Sequence, residues 1–128
     1  MLYTSYFANM RKLPATVTPI STARFPPRWF TGRNDRRLAP SHDLLTAYRA
    51  GHCTMIEYWD RYQSETLASL NPTVIYQELL AFGQPDVALC CYESTDAFCH
   101  RHCLAHWLTQ NTGVVVREYG NHPIIFGG

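Results

Sequence analysis

The residues Val87-Ala88-Leu89-Cys90-Cys91-Tyr92 form a continuous apolar run of the length of one β-strand. The run follows Pro85-Asp86 and ends at Glu93-Ser94, where the chain becomes polar. A strand with one face in water alternates apolar and polar residues, whereas an unbroken apolar run is typical of a strand covered on both faces. The run therefore predicts the central strand of a sheet.

The segments on either side of this run predict further strands and helices. Strands are predicted at Leu2–Tyr6, Thr16–Ala23 and Val114–Tyr119. Helices are predicted from Ser41 to about Ala50, after a Thr54–Glu57 capping box, over residues 72–82, and from Asp96 to about Gln110 before Gly113. Along the chain the order is strand, strand, helices, strand, helix, strand. This alternation predicts an α/β fold, a small Rossmann-like three-layer domain with a mostly parallel sheet and helices on both faces.

Two features of the first 40 residues refine this prediction. Pro19 lies inside the second strand and argues against a central, fully paired position, because proline cannot donate to the ladder. Residues 26–40 hold three prolines, Gly32 and four arginines. They predict a long loop, and long loops in compact domains are often functional.

The composition bounds the class of protein. The 128 residues, 46% of them hydrophobic and 16% charged, predict a single folded domain over residues 1–128. No run of about 18 apolar residues is present, and Met1–Tyr6 lacks the basic and apolar segments of a signal peptide. The five cysteines are therefore predicted to be reduced thiols in a cytoplasmic protein that does not associate with membranes.

Positive charge is concentrated at the start of the chain. Residues 1–40 hold seven basic side chains against Asp35, whereas residues 41–128 hold four arginines against nine carboxylates. The basic residues are interleaved with aromatic ones: Tyr3, Tyr6, Phe7, Phe25, Trp29 and Phe30. This pattern suits contact with phosphates together with base stacking, and it equally suits pairing with the acidic helices of the same domain.

The densest reactive chemistry lies in two neighbouring groups. Cys90-Cys91-Tyr92-Glu93 ends the central strand, and Cys99-His100-Arg101-His102-Cys103 lies in the first turns of the helix that follows. Ligands of open α/β sheets bind at the carboxyl ends of strands, and the N-terminus of a helix favours an anion. The two groups therefore predict a site at this edge of the sheet.

Helical periodicity predicts which of these side chains face inward. Leu104, Trp107 and Leu108 define a stripe that faces the core, and His100 falls on the same stripe with Arg101 on its flank. The other members of the group are predicted to face solvent or a partner: Cys99, His102, Cys103 and His106.

Three functional interpretations of the group remain open. Arg101 and His100 can hold a phosphate or carboxylate together with Arg24. Cys99 can act as a nucleophile, because a thiol in a first helical turn beside Arg and His favours the thiolate. The third interpretation is a metal site. Four ligands along one helix, Cys99, His102, Cys103 and His106, cannot surround an ion, but one such pair together with Cys90 or Cys91 can, and the site is then built on Cys91 and Cys99. In the structural alternative, Cys90 and Cys91 are small core residues and Glu93 is a turn carboxylate.

At these residues the sequence resembles the domain-of-unknown-function 488 (DUF488) family, in a subgroup of short single-domain members. The strongest match is a strand ending Cys-x-Glu followed by Cys-His-Arg. The matching stretches are Leu2–Asn9, Ile20 through Arg24 with Pro27 and Trp29, Leu38-Ala39-Pro40, Leu89–Glu93 and Phe98–His102. The resemblance implies an α/β, Rossmann-like fold and does not name a reaction.

The resemblance also marks individual positions in this chain. It points to Arg24, Cys91, Glu93, Cys99, His100 and Arg101. Many family members end the second strand with Asp-Val-Arg, whereas this chain has Thr22-Ala23-Arg24. A mechanism that requires the acidic residue is therefore not expected here.

We predict a pocket for a phosphate-bearing ligand, a nucleotide or a nucleic acid. The predicted ligand-binding residues are Arg24, Arg101, Tyr6, Cys91 and Tyr92, and the predicted catalytic residues are Cys99, His100 and Glu93. Glu93 would accept a hydrogen bond or act as a base, and His100 would move a proton. The alternatives are a non-enzymatic module that binds nucleic acid or nucleotides, and a metal-binding domain.

Overall fold

The computed structural model describes residues 1–83, 85–92, 99–120 and 122–123. Its strands are β1 (Leu2–Tyr6), β2 (Val17–Ser21), β3 (Arg33–Asn34), β4 (Asp86–Cys91), β5 (Arg117–Glu118) and β6 (His122–Pro123). Its α-helices are α1 (His42–Arg49), α2 (Met55–Tyr62), α3 (Pro72–Ala81) and α4 (His100–Thr112). Short 3-10 helices cover Phe7–Lys12 and Arg36–Leu38, and a π-helical turn, Gln63–Leu67, follows α2. Within these residues no helix is long and apolar enough to cross a membrane.

The strands form one sheet in the order β3-β2-β4-β1-β5-β6. All neighbouring strands are parallel except β5 and β6, which are antiparallel. Strand β4 lies between β1 and β2, and its residues from Val87 to Cys91 are buried. The prediction of a central apolar strand in a mostly parallel α/β sheet is therefore confirmed.

Side chains of β4 alternate between two apolar layers. Val87 and Leu89 join a core cluster that contains residues from all four α-helices, whereas Ala88 and Cys90 join a second cluster with Phe7. Phe7 begins the 3-10 helix Phe7–Lys12, so helical segments cover both faces, as predicted. The two layers are unequal, because the α-helices supply one and the short 3-10 helix belongs to the other.

The position of Pro19 explains how a proline fits inside β2. Strand β2 pairs with β4 along its whole length, but it pairs with β3 only at Ile20 and Ser21. The N–H of Thr22 donates to the carbonyl of Cys90, so the N–H groups of even-numbered residues in β2 face β4. The ring nitrogen of Pro19 therefore faces the other side, before β3 begins, and no ladder bond is lost.

The predicted starts of α1, α2 and α3 are confirmed by their caps, whereas α2 ends at Tyr62 and not at the predicted Asn71-Pro72. The Ser41 side chain accepts a hydrogen bond from the N–H of Leu44, and Thr54 forms a reciprocal capping box with Glu57. Pro72 occupies the first turn of α3. At the end of α4, Gly113 has a φ of 76°, the left-handed conformation that glycine adopts without strain.

Three boundaries differ from the prediction. Helix α4 begins at His100, because the backbone of Cys99 is extended. The predicted cap, Asp96, lies outside the described residues. The predicted last strand, Val114–Tyr119, is shortened to β5, which pairs with β1 only at Tyr3 and Thr4, and it is followed by β6. The predicted loop over residues 26–40 contains β3 and a 3-10 helix.

Candidate functional site

The candidate site lies where β4 ends and α4 begins. Parallel pairing places the carboxyl end of β4 beside those of β1 and β2, with Cys91 opposite Tyr6 and Cys90 opposite Ser21. Cys99 and His100 come from the N-terminal end of α4. This is the edge of a parallel sheet at which ligands of α/β proteins bind.

A pocket of about 300 Å³ is present at this edge. Its walls are mainly apolar and aromatic, and its cationic side chain is Arg49. The lining residues fall into a wall group, Ala23, Phe25, Pro40, Leu45, Tyr48, Arg49 and Tyr58, and a floor group, Cys91, Tyr92, Cys99 and His100. Cys91, Tyr92, Cys99 and His100 are all residues that the sequence predicted for the site.

The two floor cysteines, Cys91 and Cys99, are joined by a disulfide bond, and both are buried. The sequence analysis predicts reduced thiols, whereas the structure joins this one pair, because the fold brings the end of β4 against the start of α4. Cys53, Cys90 and Cys103 are free. Cys90 points to the opposite face of the sheet in an apolar cluster, and burial raises the pKa of its thiol to about 12.

His100 has a defined tautomer. Its Nε2 lies 2.8 Å from the carbonyl oxygen of Thr22, and since a carbonyl only accepts hydrogen bonds, Nε2 carries the proton. Its Nδ1 therefore presents a lone pair, and this atom lies 3.8 Å from Sγ of Cys99. Burial lowers the pKa of His100 to about 4, although the bond to Thr22 opposes that shift. The ring is neutral near pH 7.

Arg101 lies behind the floor of the pocket. Its side chain is fully buried, and its Nη2 and Nε donate to the carboxylate of Glu118 at 2.8 and 3.1 Å. Its Nη1 lies 3.1 Å from Sγ of Cys91. Arg101 is not among the lining residues, so the structure places it where it can orient Cys91 and neutralise Glu118.

The remaining predicted residues lie around the pocket or outside the described part. The Nε of Arg24 donates to the carbonyl of Pro40, a wall residue of the pocket, at 2.9 Å. The ring of Tyr6 lies 5.6 Å from the guanidinium carbon of Arg101. Glu93 lies outside the described residues.

Seven lining residues were not predicted as site residues from the sequence: Ala23, Phe25, Pro40, Leu45, Tyr48, Arg49 and Tyr58. Tyr48 and Arg49 lie at the end of α1, and Tyr58 lies in α2. Tyr58 and Tyr62 are four residues apart in the sequence, a spacing that places two aromatic rings on one face of a helix. The sequence gives no information on which edge of the sheet that face covers.

The predicted outer face of α4 also needs correction. Cys99 and Cys103 are predicted to face solvent or a partner, but both are buried within the domain. Helix α4 contacts α2, α3, β1 and β4, so more than one of its sides is covered and a single core stripe does not describe it. His106 is partly buried, and its ring lies 6.0 Å from that of Trp59.

The basic residues of the first 40 positions have mixed environments. Arg37 pairs with Asp35 and with Glu78 of α3, and the guanidinium of Arg33 lies over the ring of Phe82. Of the two alternatives for these basic residues, pairing with an acidic helix of the same domain is therefore seen for Arg37. Other members are exposed, in particular Arg11, Lys12, Arg28 and Arg36.

Comparison with known proteins gives one family match. The sequence matches the family model DUF488-N3a, described as the active DUF488-N3 subclade, over residues 3–112. No curated protein and no solved structure matches the chain.

Proposed function

We propose that the pocket of this chain, which belongs to the DUF488 family, binds a phosphate-bearing aromatic ligand, a nucleotide or the end of a nucleic acid. The observation that carries the proposal is the lining of the pocket. Aromatic rings at Phe25, Tyr48, Tyr58 and Tyr92 line a space that also contains a guanidinium. Flat aromatic ligands stack on such rings, and base–aromatic stacking contributes about 1–3 kcal/mol per base.

The size of the pocket favours a small ligand. A volume of about 300 Å³ is at the lower end of the range for pockets that bind small molecules. It suits a nucleobase with its sugar, while the phosphate extends towards the opening. A long polymer would have to insert one end or one base.

Arg49 is the residue that we assign to the phosphate. It is exposed at the last turn of α1 and lines the pocket. Burial raises the pKa of the Tyr92 hydroxyl, and the positive charge of Arg49 opposes that rise by a smaller amount. A planar guanidinium binds phosphate oxygens in pairs, which gives orientation as well as affinity. Arg24 and Arg101, assigned to the anion from the sequence, support the wall and the floor in this proposal.

We further propose that the floor is the reacting part of the site. A ligand that fills the pocket contacts Cys99 and His100, and the lone pair on Nδ1 of His100 is directed towards Sγ of Cys99. The matching subclade is described as active, which supports catalysis. Glu93 is the third candidate catalytic residue.

A screen of thermal stability tests the binding proposal. Nucleotides, sugar phosphates and short oligonucleotides are added separately to the full chain. A ligand at about 100 times its dissociation constant stabilises the fold by about 2.7 kcal/mol, which raises the Tm by several degrees for this size. We expect a rise with nucleotides and none with sugar phosphates alone. No rise with any aromatic phosphate would contradict the proposal.

A second candidate function is non-enzymatic binding of nucleic acid. The ring of Trp29 is 60% exposed, and Phe7 contacts both Trp29 and the pocket residue Tyr92. The neighbouring Arg28 is exposed, so an aromatic and cationic surface adjoins the pocket. In this case affinity for single strands should fall steeply with salt and should depend on the basic residues predicted from the sequence, Arg28, Arg33, Arg36 and Arg37.

A further inference from the structure

We propose that the reduced chain binds a zinc ion through Cys91, Cys99 and His100, with the fourth coordination position facing the pocket. The atoms that these three side chains offer to a metal all lie within 4.8 Å of one another, and all three residues are buried. Thiolate and imidazole ligands together favour zinc among the common divalent ions. The inference deepens the proposed function, on which it rests for the identity of the ligand in the pocket.

The distance between the ligand atoms of Cys99 and His100 agrees with a zinc centre. Zinc binds thiolate sulfur at about 2.3 Å and imidazole nitrogen at about 2.0 Å, so ligands at a tetrahedral angle are roughly 3.5 Å apart. Sγ of Cys99 and Nδ1 of His100 are 3.8 Å apart. Opening of the Cys91–Cys99 bond lets the two sulfur atoms separate around the ion while the backbone positions remain.

His100 already has the hydrogen bonding of a metal ligand. A zinc-bound histidine usually donates its other ring N–H to a carbonyl or a carboxylate, which fixes the tautomer and the orientation of the ring. Nε2 of His100 lies 2.8 Å from the Thr22 carbonyl, and Nδ1 faces Cys99. The ring therefore needs no rearrangement to coordinate through Nδ1.

The charges behind the site favour two thiolates. Nη1 of Arg101 lies 3.1 Å from Sγ of Cys91, which stabilises negative charge on that sulfur. The charge of Arg101 is itself balanced by Glu118, whose carboxylate also accepts a hydrogen bond from Thr4. Two thiolates and one Zn²⁺ add no net charge, so the buried region remains balanced.

Three protein ligands beside a pocket are the pattern of a catalytic zinc. Within the described residues, no fourth His, Cys, Asp or Glu joins the cluster. All three ligands line the pocket, so a water molecule or a ligand atom can take the fourth position. Zinc lowers the pKa of bound water to about 7 and polarises a bound carbonyl or phosphoryl oxygen. The ion would thus supply an activated water to an aromatic phosphate ligand.

Formation of the site requires reduction of the disulfide. A dithiol reductant gives two electrons and two protons to the Cys91–Cys99 bond, which breaks to two thiols while the reductant becomes a disulfide. The thiols release two protons when they bind zinc. The cytoplasmic location predicted from the sequence provides such a reductant, so the same residues form a disulfide when oxidised and a zinc site when reduced.

Metal content of the reduced full chain tests the proposal. The protein is treated with a dithiol without oxygen, incubated with Zn²⁺, desalted and measured by elemental analysis; Co²⁺ in place of Zn²⁺ reports tetrahedral geometry by its absorption. We expect one metal per wild-type chain and less than a tenth of that in Cys91→Ser, Cys99→Ser and His100→Ala. Cys53→Ser, which removes a free thiol outside the cluster, should keep the metal.

A second measurement uses only the wild-type chain, so it does not depend on the folding of variants. The oxidised protein should retain no zinc after desalting, and reduction with the dithiol should restore one equivalent. Absence of stoichiometric zinc from the reduced protein would overturn the proposal and leave Cys99 as a free thiol nucleophile. Equal zinc in the wild type and in Cys99→Ser would also overturn it.

The zinc site and the ligand pocket can fail independently. Arg49→Ala removes the residue assigned to the phosphate and leaves all three zinc ligands in place. We expect this variant to bind zinc like the wild type and to bind the nucleotide weakly. Zinc binding without any nucleotide binding would contradict the proposed ligand class but not the metal site.

Discussion

Arg101 and Glu118 form an ion pair in which both side chains are almost completely buried, with Nη2 2.8 Å from Oε2. The pair joins the first turn of α4 to β5, and the Thr4 hydroxyl extends the contact to β1. The arginine also contacts Cys91, so the same residue fixes the floor of the pocket. This interaction holds the start of α4 over the carboxyl edge of the sheet.

Loss of Arg101 is therefore expected to destabilise the whole domain. Arg101→Ala leaves the Glu118 carboxylate buried without its main counter-charge, and breaking a buried pair in this way costs about 3–5 kcal/mol. Urea unfolding measures the change, with exposed Arg36→Ala as a control that should alter the free energy of unfolding by less than about 0.5 kcal/mol. An Arg101→Ala protein of wild-type stability that has lost its ligand would instead support the sequence-based assignment of Arg101 to the anion.

The buried imidazole predicts a dependence of stability on pH. The pKa of His100 is lowered by burial from 6.5 to about 4 in the fold, so the unfolded chain binds more protons between these values. The contribution of the neutral His100 imidazole to the free energy of unfolding is complete above pH 6.5 and is lost as the pH falls to about 4. The total change is of the order of 3 kcal/mol.

Urea unfolding of the metal-free, disulfide-bonded protein across that pH range checks this dependence. Replacement of the imidazole by a neutral amide in His100→Asn should flatten the curve between pH 4 and 6.5. A wild-type protein whose stability is constant over that range would show that His100 is charged or solvated in the fold.

Substitution of two aromatic residues separates the two candidate functions. Tyr92 lines the pocket, whereas Trp29 belongs to the exposed surface beside it. For a nucleotide in the pocket, Tyr92→Ala should cost about 1–3 kcal/mol of binding free energy and Trp29→Ala should cost little. Calorimetric titration of both variants with a mononucleotide and a single-stranded oligonucleotide gives the comparison. Loss of oligonucleotide binding in Trp29→Ala alone would favour the nucleic-acid module.

Local sequence signals predict much of the fold. The apolar run ending at Cys91 identifies the central strand, and side chains such as Ser41 and Thr54 mark helix starts, because caps act within a few residues of their targets. The start of α4 could not be predicted in the same way. Its position depends on how Cys99 packs against Cys91 at the end of β4, a tertiary contact that periodicity does not report.

Sequence signals point to residues on the floor of the pocket and not to its walls. Cys91, Tyr92, Cys99 and His100 were identified because reactive residue types gather at a strand end and a helix start. Arg49 gave no such signal, because its role depends on how α1 packs over the sheet edge. Arg101 was identified as important, but its buried partner Glu118 lies in a strand whose register the sequence does not specify.

The affinity of one nucleotide for the wild type and for Arg49→Ala tests the central claim most directly. A hydrogen-bonded contact with a charged group is worth about 1.5–3 kcal/mol, so Arg49→Ala should raise the Kd by about 10-fold or more. The control variant Arg36→Ala removes an exposed arginine outside the pocket lining and should leave the Kd within about twofold. Equal Kd values for the wild type and Arg49→Ala, or an equal loss in Arg36→Ala, would contradict the assignment of the pocket to a phosphate-bearing ligand.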